Sequence, residues 1–452
     1  MEPSLMDMSE RNNTLYFTIS NINVSYANAI RRVILSDIPT VVIRTFPYEK
    51  NDVNFEINTS NLNNEIIKQR LSCIPIHITD LNTELSDYII EVDVKNSTDQ
   101  LIYVTTADFK IKNLKTDKYL TDETVNKIFP PNKITEQYID LCKLKPQYSE
   151  NLKGEHLKFT AKLSIGNALE NGSFNVVSTC SYSNTPNKYE IDKQREIKLT
   201  ELQSKYSNDD DIKYHLNDWA TLDAKRITIP NSFDFKIKSI GVFDNTNIVI
   251  KAIQIIINRL FTLSEIYSKP NNLINKSNVT IENSFDITLI NEDYTIGKIL
   301  EYSLYELYYL GTQTLTFCGF SKPHPHINES FIRIAFKEPV DNNTITTYII
   351  SAIEIAISYF KKILPNFGEI DPDELLTIKS SMPSTSMPST SMPSTSMPST
   401  SMPSTSMPST SKPSTSMPST SMPSTSKPST STAKESSKKP TISIKSKTKP
   451  KL

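Results

Sequence analysis

The sequence has 452 residues, 37% of them hydrophobic, with 49 basic and 50 acidic side chains and a formal net charge of −1. That is enough chain for two or three domains, but the charge divides unevenly: nine lysines and one glutamate follow Lys379, so that tail carries +8 and residues 1–379 carry −9. A folded part without basic excess argues against a protein that coats DNA through its own charge, and four scattered cysteines without a CxxC pair argue against a structural zinc site or a disulfide framework.

In chain order, the opening MEPSLMDMSERNN has no apolar core, so no signal peptide is expected. Leu15 to Leu35 reads as a strand (Leu15, Phe17 and Ile19 alternating with polar residues), a turn, and a helix opened by Ser25 with Ala27, Ile30, Val33 and Ile34 on one face. Pro39 to Thr45 reads as a short strand. Asn58 to Ile78 predicts a helix capped at Ser60 or Asn61, with Leu62, Ile66, Ile67 and Leu71 on one face, ending before Pro75. From Asp87 to about Ser183 short β-rich runs alternate with polar loops, as in an α+β insert with its own sheet.

Asn184 to Lys225 is polar and partly helical, and its run Asp209-Asp210-Asp211 reads as a solvated loop. Ser232 to Phe243 alternates again and leads into a long helix around 248–267. Its apolar stretch Ile248 to Phe261 is interrupted by Lys251, Gln254, Asn258 and Arg259, and is too short to span a bilayer. A polar connector without periodicity, roughly 268–283, precedes a further strand–helix region to about Pro365. From Met382 a five-residue unit, M/K-P-S-T-S, repeats ten times before a Lys-rich end. Proline at every fifth position blocks helix and ladder alike, so this tail is expected to be disordered, a solubilising linker or a basic contact for an acidic surface or nucleic acid.

The chain repeats itself. A shift of 270 places Leu15 over Phe285, Thr18 over Thr288, Asn21 over Asn291, Ser25 over Thr295, Ala27 over Gly297 and Ile30 over Leu300. A shift of 100 places Ala252 over Ala352 and Ile253 over Ile353, with apolar residues at 250, 253, 256, 257, 260 and at 350, 353, 356, 357, 360. The same two-helix module therefore occurs twice, its first copy split by a long insert. Two helices over a few strands leave one side apolar, and pairing with the other copy covers it. The residues expected in that dimerisation seam are Ile30, Ile34, Ile253, Ile257, Leu300, Leu304, Ile353 and Ile357. The fold class is α+β: two paired modules of strands plus two helices each, and an α+β insert in the first.

Catalytic constellations are lacking. Eight glycines leave no phosphate-binding loop, and there is no Ser/His/Asp set and no HExxH. His324-Pro325-His326 reads as structural, because a proline between two histidines on a loop gives poor metal geometry. Neither a metal nor a cofactor is expected.

The run Ala27 to Leu35, followed by Ile38-Pro39-Thr40, resembles the ANALRR helix and following strand of the alpha-like assembly subunits of DNA-directed RNA polymerases: bacterial alpha, archaeal D and L, and the third-largest and eleventh subunits of eukaryotic polymerase II. Asn58-Thr59-Ser60, Glu65, Arg70-Leu71, Ile74-Pro75, Val104 to Asp108, Val177 to Tyr182 and Ser239-Ile240-Gly241 are similar to further blocks of the larger, D-like partner. Glu292 to Gly297, Phe317 to Phe320 and Pro323-His324-Pro325 resemble the D-H-T-x-G turn and the G-Y-x-x-P-H-P loop of the small, L-like partner. The metal-binding cysteines that the D-like insert often carries are missing, and Lys298 stands where the small partner usually has Asn.

The resemblance implies a D-like dimerisation module at 12–46 and 231–267, an insert at 47–230, a linker at 268–282, an L-like module at 283–379 and a tail at 380–452. It implies a non-catalytic platform for transcription that docks the largest and second-largest, beta'-like and beta-like, subunits, meets other small subunits, and contacts DNA only through the complex. Arg31 and Arg32, with Asn28, Glu65 and Arg70, would form the docking set, the guanidinium groups offering planar bidentate contacts. Both partners on one chain, with an Asn/Ile/Lys-rich composition, look like a large cytoplasmic DNA virus, hence virion and host cytoplasm; either way an intracellular protein. The alternative is a self-associating scaffold unrelated to transcription.

Overall fold

The computed structural model describes residues 2–147, 149, 153–270 and 272–368, so the expectation of a disordered tail lies outside the described residues. The chain opens with a hairpin of β1 (Ser4–Arg11) and β2 (Thr14–Ser20), closed by Asn12 and Asn13 at φ 51° and 59°, left-handed positions that asparagine tolerates. Then comes α1 (Val24–Ser36), whose cap is Asn23 rather than Ser25: the Asn23 side chain accepts the Ser25 N–H.

The insert follows, with β3 (Thr40–Val42), β4 (Val53–Asn58), α2 (Asn64–Ser72), β5 (Tyr88–Lys95), β6 (Ile102–Thr105), β7 (Lys110–Asn113), β8 (Lys118–Tyr119), α3 (Asp122–Ile128), β9 (Asp140–Leu144), β10 (His156–Lys162) and β11 (Ser164–Gly166). The chain returns through β12 (Val177–Pro186), the helical pair α4 (Lys188–Lys205) and α5 (Asp209–Thr221), β13 (Thr228–Ser239) and α6 (Asn245–Ser268). The second module is β14 (Ile274–Lys276), β15 (Ser284–Ile290), α7 (Tyr294–Leu304), β16 (Leu315–Ser321), β17 (Glu329–Phe336) and α8 (Asn342–Ile363).

Two four-stranded antiparallel sheets have the same plan. One runs β1-β2-β13-β12 and the other β14-β15-β17-β16, so each strand has a counterpart in the other sheet. In the first, Leu15, Phe17 and Ile19 face Ile237, Phe235 and Phe233, with the Phe17 and Phe235 rings stacked at 4.9 Å. In the second, Phe285, Ile287 and Leu289 face Ile334, Ile332 and Ser330. The 270-residue shift holds from strand to cap: Asn21 and Asn291 take φ 60° and 58°, and Asp293 caps α7 as Asn23 caps α1.

The second echo divides. The buried positions of α8 (345, 349, 352, 353, 356, 357, 360 and 363) fall on buried positions of α6 at a shift of 100. The ladder partners and the caps Asp244 and Asp341 match at a shift of 97. Three residues are close to one helical turn, so both registers present one face.

The four helices meet one another: α1 packs on α6 and α7, and α8 on α6 and α7. One continuous apolar core runs through both modules, from Leu15 to Phe367, and holds Ile30, Ile34, Ile253, Ile257, Leu300, Leu304, Ile353 and Ile357. At 24 residues α6 is long and apolar enough to cross a bilayer, contrary to the shorter span read from the sequence, yet its aliphatic residues are sunk in this core.

The insert has a separate core around the sheet β4-β10-β5-β7-β8, with Ile67 and Leu71 of α2 packed into it. The helix expected from Ser60 or Asn61 begins later, because Asn58 closes β4 and Asn63 supplies the cap by accepting the Ile66 N–H; Ile66 itself is exposed. The connector expected to be featureless contains β14, paired along the edge of β15. The Asp209-Asp210-Asp211 run is the first turn of α5, where the helix dipole favours acidic groups, rather than a loop.

Candidate functional site: the seam between the modules

The seam's charged end is built from the last turns of α1, the middle of α6 and the cap of α7. Arg32 reaches out of its own module: its Nε donates to Thr295 Oγ1 at 2.8 Å and its guanidinium pairs with Asp293. Asp293 also accepts the Thr295 N–H, so one carboxylate caps α7 and fastens α1. Behind it, Arg259 of α6 binds Asp37 at 2.6 Å on one side and pairs with Glu292 on the other. The Ser330 hydroxyl donates to the Glu292 carbonyl at 2.9 Å and fixes the turn. A cleft of about 550 Å³ opens over this set, lined also by Arg31, Leu169, Lys322 and Pro325.

Burial opposes the charge on Arg259, but Glu292 and Asp37 outweigh it and the guanidinium is held more firmly protonated than usual. Burial pushes the Glu292 carboxyl up, and Arg259 opposes that rise. For Asp293 burial also pushes upward, yet the Thr295 hydroxyl and N–H and the two arginines win, holding it below the usual carboxylate range.

The sequence-predicted docking residues divide between two places. Asn28, Arg31 and Arg32 lie on α1, with the Arg31 fork on Asn28 Oδ1 at 2.9 and 3.0 Å. Glu65 and Arg70 lie on α2 of the insert. Glu65 is exposed and 3.7 Å from Lys68, while Arg70 donates to the Asp140 carbonyl at 2.9 Å and lines a different cleft with Tyr103 and Lys143. Of the two arginines expected to dock the beta-like subunit, Arg32 reaches across to Asp293 and Thr295 of the second module, while Arg31 bonds Asn28 within its own helix.

Sequence reasoning missed Arg259, Asp37 and Glu292 as one cluster. The available signal was a lone arginine in the apolar run of α6, since a buried cation requires carboxylates. Among the described residues no three His, Cys, Asp or Glu side chains converge as a metal site would need. His324 and His326 sit on an exposed loop. Arg32 with Asp293, and Arg259 with Asp37 and Glu292, tie the two modules together at this end of the seam.

Two copies of one sheet-and-helix plan, sealed helix to helix, define a dimerisation platform of the alpha-like class. Residues 16–260 match the family described as the RNA polymerase Rpb3/Rpb11 dimerisation domain. The chain belongs to this family. It is similar to subunit 3B of DNA-directed RNA polymerases IV and V of Arabidopsis thaliana, 28% identical over 192 residues, 38% of this chain and 53% of that protein. It is also similar to DNA-directed RNA polymerase II subunit rpb3 of Dictyostelium discoideum, 37% identical over 75 residues, 17% of this chain and 22% of the relative. Subunit Rpo3 of Methanosarcina acetivorans is 38% identical over 85 residues, 19% of this chain and 28% of the relative. The matched stretch spans about half the length of the Arabidopsis relative and less of the other two.

Proposed function

We propose that this chain is a non-catalytic assembly subunit of a multisubunit DNA-directed RNA polymerase, with the larger and the smaller alpha-like partner on one polypeptide. The observation that carries the reading is the second module, whose sheet repeats the strand order of the first and whose helices pack on the first module's helices in a shared core. The family match and the printed names of the relatives support the polymerase setting. In this reading the modules are the segments 12–46 with 231–267 and 283–379 and the insert is 47–230, except that β12 pairs with β13 in the first module's sheet and β14 with β15 in the second's. The outer surfaces meet the two large catalytic subunits and other small subunits. A viral origin, with virion and host cytoplasm as location, belongs to the same proposal and is supported by the two modules sharing one chain. The rival reading, a self-associating scaffold, loses its adhesive face, because the second module already occupies it.

The test is co-purification of a tagged chain from cells that make the large polymerase subunits. Both should accompany it at one copy each, and their absence from a soluble, monomeric preparation would refute the reading. Arg31→Glu is the docking variant of choice, since among the described residues its side chain bonds only within α1, through Asn28. It should keep the wild-type melting temperature and weaken capture of the beta-like subunit at least tenfold.

A further inference from the structure

A second cleft, of about 180 Å³, lies at the other end of the helix seam, and five of its lining residues are the counterparts of residues lining the first. Asn21, Asn23, Tyr302, Glu306 and Tyr359 line it. Shifting by 270 turns Asn21 into Asn291, Asn23 into Asp293, Arg32 into Tyr302 and Ser36 into Glu306, and the shift of 100 turns Arg259 into Tyr359. The chemistry differs between the equivalent places. The first module supplies the cations, Arg32 and Arg259, where the second has tyrosines. The second module supplies the carboxylates Glu292 and Asp293, where the first has Ile22 and Asn23.

We propose that these four positions select the partner: the first module's seam accepts the second module and rejects another copy of itself. The buried positions of the helices coincide between the modules, so the pattern of the apolar stripes is shared, and within it the Tyr26 hydroxyl and Ser303 add one buried hydrogen bond across the seam at 2.8 Å. In a pair of first modules Arg32 would face Asn23, and the buried Arg259 would keep Asp37 of its own module but face Ile22 in place of Glu292, losing one of its two carboxylates. In a pair of second modules the buried Glu292 would face Tyr359, with no cation. A buried charge without its partner is penalised far more than a matched pair is rewarded, so the wrong pairings are excluded by what they leave unpaired. The inference rests on the seam geometry and does not require the polymerase reading.

The test uses the full chain with Arg32→Glu, Asp293→Arg, and both together. Each single variant sets like charges against one another and should melt several degrees lower and form higher-mass species on a sizing column. The double variant restores a matched pair and should run as a monomer, melting above Asp293→Arg; both lack the α7 cap carboxylate, so that comparison isolates the pair. Unfolded and refolded together, the two single variants should form a species of twice the chain mass, because exchanging second modules matches both seams. Neither variant alone should form it as its main product. The proposal is overturned if both single variants remain monomers with unchanged melting, if the double variant is no better than Asp293→Arg, or if the mixture yields only what the separate samples yield. Should Asp293→Arg alone fail to fold, recovery in the double variant supports the pairing rule and continued failure overturns it.

Discussion

Arg259 is surrounded by the aliphatic residues of α6 and tolerated there because Asp37 and Glu292 bind it from two modules. Arg259→Met therefore leaves two inward carboxylates without a cation, and a loss of about 3–5 kcal/mol in urea unfolding is expected. Adding Glu292→Met should return part of it. Asp293 gives a pH signature. Its folded pKa lies below its unfolded value, so its contribution is complete above the unfolded value, about 3.9, and disappears as pH falls through the folded one. Asp293→Asn keeps a cap acceptor but not the charge. Its melting temperature should fall short of wild type at pH 7, and the gap should close as the pH is lowered below about 4. A gap that stays constant to pH 2 would place the effect elsewhere.

Among the elements, α6 packs on α1 of its own module and on α8 of the other. Ile253→Ala should cost about 2–5 kcal/mol, whereas Ile66→Ala on the exposed side of α2 should stay within about 0.5 kcal/mol. Gly297 has a narrower reason to be glycine: a Cβ there would overlap the Phe320 ring of β16. Gly297→Ala should then cost about 1–3 kcal/mol and disturb the edge contact between Tyr294 and Phe320.

The seam helices and the 270-residue repeat were legible because helical periodicity is local, though the caps were displaced. Two further features were not. The three residues of β14 are too few for alternation to register, and they become a strand only because the edge of β15 is there to bond them. The start of α2 was displaced because several consecutive Asn and Ser residues can each cap a helix, and only the end of β4 at Asn58 decides among them. Likewise nothing near Arg32 announces a partner 261 residues away.

For the whole molecule, the covalent link between the modules fixes stoichiometry and raises effective concentration, while the seam supplies the adhesion. Each of the eight buried aliphatic residues named for it contributes roughly 1.5–3 kcal/mol, enough in aggregate to exceed the loss of association freedom. A protease site at Asn275 would cut inside β14; the exposed turn at 278–281 is the place for it. Fragments cut there in the native state should co-elute. Two separately eluting folded fragments would remove the structural basis of the internal pairing.

The split of the first module also sets an order of events during synthesis. Strand β2 pairs with β13, and Ser20 lies opposite Ser232 across 212 intervening steps of chain, whereas the second module is continuous from Ile274 to Ile363. At about 5–20 residues per second the ribosome needs roughly 10–40 s to deliver β13 after β2. Through that interval the apolar face of α1 has neither its sheet nor its partner helices, while the insert, with a core of its own, can already close. The nascent chain is then a folded insert held between two halves of an unfinished module, and α1 is the segment that a chaperone would have to cover.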